Sequence, residues 1–510
     1  MTDDIRRMAA GVLCTGFDGV TIDAAFEAQL RATPVAGLIL FGRNVESLAQ
    51  TRALTDRIRE ILGDAEHPPI VAIDQEGGRV ARLRDRVEEI PSMMAVGATR
   101  DAALARRAGE ALAFDLRRAG VNLDFAPVLD LALQSANTAI GARAFSDDPA
   151  LVIELAGAAA RGMRGAGIAT TYKHFPGHGS TAEDSHLGLP AIDETLETLR
   201  ARDLLPFKAL LPEAQSVMTA HIVFRALDPD RPATLSPRIL TGLLRDEIGF
   251  KGVCFTDCMQ MDAIAKTVGT ARGAVLALIA GADCALISHS ITTAGEAVEL
   301  IAAAVEDESL PEARLREAHD RVMRFRRSLA SPVPLDAAPP AAGVGREIGQ
   351  AAVTCLRGEA RAAAAQSIVV SFEGTTTEGV VGTHSEHASL ALHATDLEEL
   401  RAALEPPVSQ IDELLARLAQ TRRRPVVLMR RAHLYPEQAR AIDRILAQYP
   451  EALLVSAREP YDAFEFPQAR TVVCTYGDDA PSIAGLADVL FGDVPARGRL
   501  PIAAPALVEG

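Results

Sequence analysis

The chain has no tryptophan among its 510 residues, and aromatic residues of all kinds make up only 4%. A broad groove that grips a polysaccharide by stacking needs such rings, so their scarcity favours a small pocket. Positive charge is also in deficit: Lys and Arg number 52 against 68 Asp and Glu, a formal net charge of -16. A surface this acidic repels nucleic acid and anionic lipid, so neither nucleic acid nor a membrane is expected as a partner. No apolar run reaches the length that spans a bilayer. The start, MTDDIRRMAAGVLCTGFDG, lacks the apolar core of a signal peptide. Cys14, Cys254, Cys258, Cys284, Cys355 and Cys474 lie scattered in apolar segments without framework spacing. They read as reduced, buried thiols, and a cytoplasmic location is expected. Cys254 and Cys258 sit close together, but no second pair completes a metal site.

What the chain has is alternation. Short apolar, β-rich runs occupy residues 11–17, 37–41, 69–74, 121–130, 169–175, 216–224, 252–258 and 284–288. Between most of them lie helix-like stretches such as 51–62 and 102–119, with apolar residues at three- and four-residue steps. This pattern predicts an α/β fold, a TIM-type (β/α)8 barrel over residues 1–330. A doubly wound sheet is the alternative, because alternation alone does not show closure. The barrel is favoured by the polar residues that follow the runs: Asp74, Asp130, Lys173, His174, His221 and Asp257. One rim of a barrel, at the carboxyl ends of its strands, collects such residues. Residues 331–345, SPVPLDAAPPAAGVG, read as a Pro/Ala-rich linker. Residues 346–510 predict a smaller C-terminal αβα sandwich, with strands at 367–372, 425–429, 452–456, 470–475 and 487–491 and helices at 397–403 and 436–448.

The densest chemistry is the run Lys173-His174-Phe175-Pro176-Gly177-His178-Gly179, followed by Asp184-Ser185-His186. A metal site is disfavoured, since the ligands share one loop and Pro176 and Gly177 break any helical pairing; no metal and no cofactor is expected. A polar loop bonded to itself is the plain structural reading. The functional reading is an acid/base loop. Histidine exchanges protons near neutral pH, and Asp184 is placed to hold the His186 ring by one nitrogen. Asp257, in FTDCMQM, ends an apolar run. It reads either as a helix cap or as a carboxylate nucleophile for a sugar's anomeric carbon. The segment IDQEGGRVAR reads either as a solvated turn or as carboxylates and Arg that bind sugar hydroxyls. It carries neither glycine fingerprint of a phosphate loop.

KHFPGHGSTAEDSH resembles the KHFPGHG-x4-DSH loop of the bacterial β-N-acetylglucosaminidase branch of glycoside hydrolase family 3. AIDQEGGRVARL is similar to that branch's substrate-binding strand end, IGARAFSDDP to its IGxRSF segment, and VCFTDCMQMDAI to its SDDLxM nucleophile segment. The resemblance covers residues 5–330, and the tail TYGDDAPSIAGLADVLFGDVPARGRLPI resembles the family's C-terminal sandwich. It implies a barrel without metal and a covalent glycosyl-enzyme. It also implies Asp257 as nucleophile and His186 as proton donor with Asp184 its partner. Asp74, Arg82, Arg143, Lys173 and His174 match the groups that bind the N-acetylglucosamine unit. Thr256 and Cys258 replace a Ser and an Asp around the nucleophile, and Ala144 replaces the Ser after Arg143.

The implied activity is that of a retaining exo-β-N-acetylhexosaminidase. Its substrate is an oligosaccharide with terminal β-linked N-acetylglucosamine, from peptidoglycan recycling or from chitin. The alternatives are a phosphorylase that delivers the sugar to phosphate, a β-glucosidase of the same family, and a non-catalytic sugar-binding protein. The chain is expected as a monomer or homodimer. The second domain is expected to serve structure or dimer formation rather than the active site.

Overall fold

The computed structural model describes residues 3–64, 66–181, 189–374, 376–378, 382–384 and 388–504. Eight strands form a closed barrel: β1 (Leu13–Thr15), β2 (Gly37–Leu40), β3 (Ile70–Ile73), β4 (Leu123–Asp124), β5 (Ala169–Phe175), β6 (Ser216–Thr219), β7 (Val253–Cys258) and β8 (Cys284–Ile287). Every neighbouring pair is parallel, and β8 returns to β1 with Cys14 opposite Leu286. Strands covered on both faces read as unbroken apolar runs, which is why the sequence shows runs rather than alternation. Each expected run contains one barrel strand.

The helices between the strands start where side chains satisfy free backbone N–H groups. Ser47 accepts from Gln50 N at the head of Leu48–Leu62, and Asp101 accepts from Ala103 N and Leu104 N at the head of Ala102–Arg118. Their apolar stripes, Leu54 and Ile58 in one and Leu104, Ala108 and Leu112 in the other, are buried. Inside the barrel Phe125 meets Phe255 edge-on at 5.5 Å, and Phe255 meets Phe325 of the helix Glu312–Arg327 at 6.0 Å. The interior is a packed core, so chemistry is confined to the rim.

The expected strand at 216–224 divides. β6 stops at Thr219, and Val223–Phe224 pairs instead with Ala191–Ile192, outside the barrel. No helix or strand lies between Arg327 and Val344. Beyond that stretch, β9 (Thr354–Arg357), β10 (Ser367–Glu373), β11 (Glu398–Ala403), β12 (Arg424–Met429), β13 (Leu453–Ser456) and β14 (Thr471–Cys474) form one sheet in the order β9-β14-β13-β12-β10-β11. All its pairs are parallel except β9 with β14.

Two assignments in this unit are corrected. Residues 487–491, expected as a strand, are the end of the helix Ala480–Phe491. Asp479 caps that helix by accepting from Ser482 N. It looks like a strand because it is buried all round: Ile483, Leu486 and Leu490 pack on the sheet, and Gly485 packs on Gly349. Residues 397–403, expected as a helix from their Leu, Glu and Ala, hold the edge strand β11. Pairing with β10 overrides the intrinsic preference.

The helix Val344–Ala352 ties the units together. It packs on Ala480–Phe491 and on the barrel helix Met93–Thr99. A Cβ at Gly345 would fall 1.9 Å from Glu89 O, so only glycine permits that approach. Ser92 Oγ also donates to Tyr476 O at 2.6 Å across the seam. Among the described residues no helix is long and apolar enough to cross a membrane.

Candidate active site

Asp74 follows β3 directly, and Gln75 and Glu76 continue it. Gln75 N donates to Asp124 Oδ1 at 2.9 Å, and Gln75 Oε1 accepts from Arg82 N at 2.7 Å and Leu83 N at 3.0 Å. The segment is thereby fixed at both ends of its turn. The turn itself needs glycine: Gly77 has φ +106°, and a Cβ there would lie 2.8 Å from Pro91 O.

Lys173, near the end of β5, points across the rim. Its Nζ lies 2.8 Å from Asp74 Oδ1 and 2.6 Å from Glu76 Oε1. Arg143 meets the same Glu76 as a fork, with Nε to Oε2 at 2.8 Å and Nη2 to Oε1 at 2.7 Å. All four side chains are buried or nearly so. Burial alone would raise the Glu76 pKa, but Arg143 and Lys173 outweigh it and hold the carboxyl far below its ordinary value. Burial would lower Lys173, yet Asp74 and Glu76 raise it above the usual ammonium value. The Glu76 carboxylate and the Lys173 and Arg143 cations therefore hold one another in their charged forms.

The adjacent His174 is held differently. Its Nδ1 lies 2.6 Å from Asp130 Oδ2, and its backbone N donates to both Asp130 oxygens at 3.2 Å. Asp130 also accepts from His178 N at 2.7 Å. Burial would raise Asp130, but His174 and His178 pull it below the ordinary range. With Nδ1 engaged, Nε2 is the His174 nitrogen left for a ligand. His178, fully buried, is pushed down to about 4, by burial first and by His174 second. The Lys173–His174 and Phe175–Pro176 peptides are cis.

Asp257 lies near the end of β7, two strands around the wall from β5. Its Oδ1 accepts from Cys258 N at 2.7 Å. His221 Nε2 donates to Cys258 O at 3.0 Å and so braces the same strand end. Arg82 is buried close enough to Asp74, Glu76 and Arg143 to feel their charge; burial dominates and lowers its pKa.

The structure thus joins Asp74, Lys173 and Arg143 in one network, sets His174 beside it, brings Arg82 near, and puts Asp257 on the same rim. Asp184 and His186 lie outside the described residues. Glu76 and Asp130 were not among the expected site residues, although both organise it. A signal existed for Glu76: in an extended segment, residues two apart share a face, and Asp74 and Glu76 are so spaced.

The model of the glycosyl hydrolase family 3 N-terminal domain matches residues 10–325. The chain belongs to glycosyl hydrolase family 3. As a family 3 member it is a glycoside hydrolase. A beta-hexosaminidase of Pseudomonas aeruginosa is 41% identical over 286 residues, 56% of this chain and 84% of that protein. One from Xylella fastidiosa is 42% identical over 286 residues, 54% of this chain and 83% of that protein. The solved structure of a family 3 beta-N-acetylglucosaminidase from Paenibacillus sp. str. FPU-7 superposes with a TM-score of 0.92 at 32% identity, covering 99% of both chains. That likeness extends over the C-terminal sheet as well as the barrel.

Proposed function

We propose that this family 3 hydrolase is a retaining exo-β-N-acetylhexosaminidase, with Asp257 as nucleophile, His186 as acid/base and Asp184 as its partner. The observation that carries the reading is the network of Asp74, Lys173, Glu76 and Arg143 on the rim that bears Asp257. Its cations and anions contact one another while its donors and acceptors stay fixed, which suits a hydroxyl-rich ligand.

In the first step Asp257 forms a bond to the anomeric carbon. The bond to the leaving oxygen breaks, and that oxygen takes the proton of His186. In the second step neutral His186 removes a proton from water. The water oxygen bonds the anomeric carbon and Asp257 departs, with net retention. Lys173, Arg143 and His174 supply donors for the sugar's hydroxyls and its acetamido carbonyl. The six free cysteines suit a cytoplasmic site of action. A disaccharide from cell-wall recycling or from chitin suits it as substrate.

The test is kcat/KM on the 4-nitrophenyl β-glycosides of N-acetylglucosamine and glucose. A site built around a substrate hydrogen bond rejects the analogue lacking it by about 10⁴-fold. Equal values, or a preference for glucose, sink the hexosaminidase reading. Free sugar as sole product in phosphate buffer separates hydrolysis from transfer to phosphate.

A further inference from the structure

The C-terminal sheet carries a second cluster of charged groups that sugar hydrolysis does not use. Strands β12, β13 and β14 are parallel, and just past their carboxyl ends stand Arg430, Arg458 and Asp478. Open parallel sheets bind ligands in the crevice outside such ends. Here that crevice faces the barrel. A cavity of about 40 Å³ is lined by Arg431, Arg458 and Asp479 on one side and by Gly77, Gly78 and Arg143 on the other. That is room for a group the size of a few waters.

The cluster is short of acceptors. Arg430 Nε and Arg458 Nε both donate to one oxygen, Asp478 Oδ2, at 3.1 and 2.9 Å. Arg430 also places Nη1 on Ser371 Oγ at 2.7 Å and on Phe372 O at 2.8 Å. Arg458 has no such outlet. Its side chain is 1% exposed, yet both Nη1 and Nη2 lack a hydrogen-bond partner among the described residues. The neighbouring cations have carboxylate partners: Arg431 meets Glu459 at 2.7 Å, and Arg143 meets Glu76 at 2.7 Å. The remaining acid, Asp479, caps the helix Ala480–Phe491 through Oδ1, and its Oδ2 is buried without contacting either Arg458 Nη among the described residues. Its carboxyl is pushed up to about 6 by burial. Asp479, the N-cap of that helix, lines the cavity. A guanidinium edge buried without acceptors costs free energy until an acceptor meets it, and its two parallel N–H groups fit a planar or tetrahedral oxyanion.

We propose that the seam between the two units is a binding site for one small oxyanion group, a carboxylate or a phosphate, gripped by Nη1 and Nη2 of Arg458. The opposite wall is the Gly77–Gly78 turn, whose preceding residue is Glu76 of the sugar network. An anion held here fastens the second domain to the loop that shapes the sugar pocket. The carboxylate source is the aglycone of the substrate; the phosphate source is the free ion.

Two measurements on the full chain distinguish the sources. In the first, inorganic phosphate is titrated at constant ionic strength and the shift in Tm is recorded. A saturable rise is expected, weakened by about tenfold or more in affinity in Arg458→Gln, with Arg458→Lys intermediate. In the second, kcat/KM is compared for two β-N-acetylglucosaminides, one with a carboxylate on its aglycone and one with the matching amide. The carboxylate-to-amide ratio is expected to fall about tenfold in Arg458→Gln, while the 4-nitrophenyl substrate is turned over as before. This second arm rests on the hexosaminidase reading and the first does not. If neither aminosugar substrate is turned over, that reading fails and the phosphate titration alone decides. A response in either arm that Arg458→Gln removes establishes the site and names its source. A response that survives Arg458→Gln, or no response of the wild-type chain in either arm, overturns the proposal.

Discussion

Two buried clusters of charge sit on either side of the Gly77–Gly78 turn, and they are built to opposite rules. In the barrel network Lys173 bridges Asp74 and Glu76, and Arg143 forks onto Glu76, with contacts of 2.6 to 2.8 Å. In the seam cluster Arg430 and Arg458 share one oxygen of Asp478, and the outer edge of Arg458 has no acceptor among the described residues. A network whose cations and anions contact one another presents rigid, directed groups, which favours a neutral ligand. An unsaturated one carries a surplus that only an anion relieves. The difference shows that burial of charge does not by itself identify a catalytic site; what decides is whether the protein has already answered each charge.

The comparison is broken most forcefully at the chemistry. Asp257→Asn is expected to lower kcat/KM on the 4-nitrophenyl aminosugar by on the order of 10⁴-fold or more. A variant keeping a tenth of the activity would place the nucleophile elsewhere on the rim. The saturated network is tested by Glu76→Gln, which strips Arg143 and Lys173 of their shared carboxylate. Breaking a buried pair from one side costs about 3–5 kcal/mol, to be read from urea unfolding of the full chain. Arg458→Gln removes a group already short of acceptors and is expected to cost far less in the same measurement. Equal losses at the two positions would erase the distinction between the clusters.

A third test concerns pH. His178, beside the network, has its folded pKa pushed down to about 4 by burial, against an unfolded value of about 6.5. Between those values the unfolded chain binds the extra proton, so stability rises with pH across this window and falls on acidification. The full effect is about 3 kcal/mol. His178→Gln is expected to flatten the fall in Tm between pH 7 and pH 5. An unchanged slope would assign the acid sensitivity to other groups.

The smallest effect is expected at the seam backbone. Gly141 has φ +46°, and a Cβ there would lie 2.5 Å from Glu459 Oε1. Gly141→Ala combines a strained backbone with a displaced carboxylate, for a loss of about 1–2 kcal/mol. A neutral outcome would mean that Glu459 moves freely, and that the seam is looser than the barrel.

Much of this organisation was legible in the sequence. The eight runs, the polar residues that follow them, and the positions of Asp74, Lys173, His174 and Asp257 can be read from period and punctuation alone. The errors fell where local pattern meets two-sided burial. The helix Ala480–Phe491 shows an unbroken apolar run at its end because it is covered by the sheet on one face and by Val344–Ala352 on the other. The strand β11 carries helix-forming residues because an edge strand needs little more than backbone pairing. Asp130 went unassigned because its partners, His174 and His178, lie more than forty residues later in the chain.

The sequence by itself determined the eight strand runs and the polar residues that follow them. Strand period, helix period and the residue after each strand are local properties, and local properties are written in order along the chain. Only the tertiary structure decided how the charges divide. Glu76 gathers Lys173 and Arg143 from two other barrel segments, while Arg430, Arg458 and Asp478 come from the ends of three separate strands. Whether a buried charge is answered depends on distances of about 3 Å between residues far apart in sequence, and no spacing along the chain encodes them.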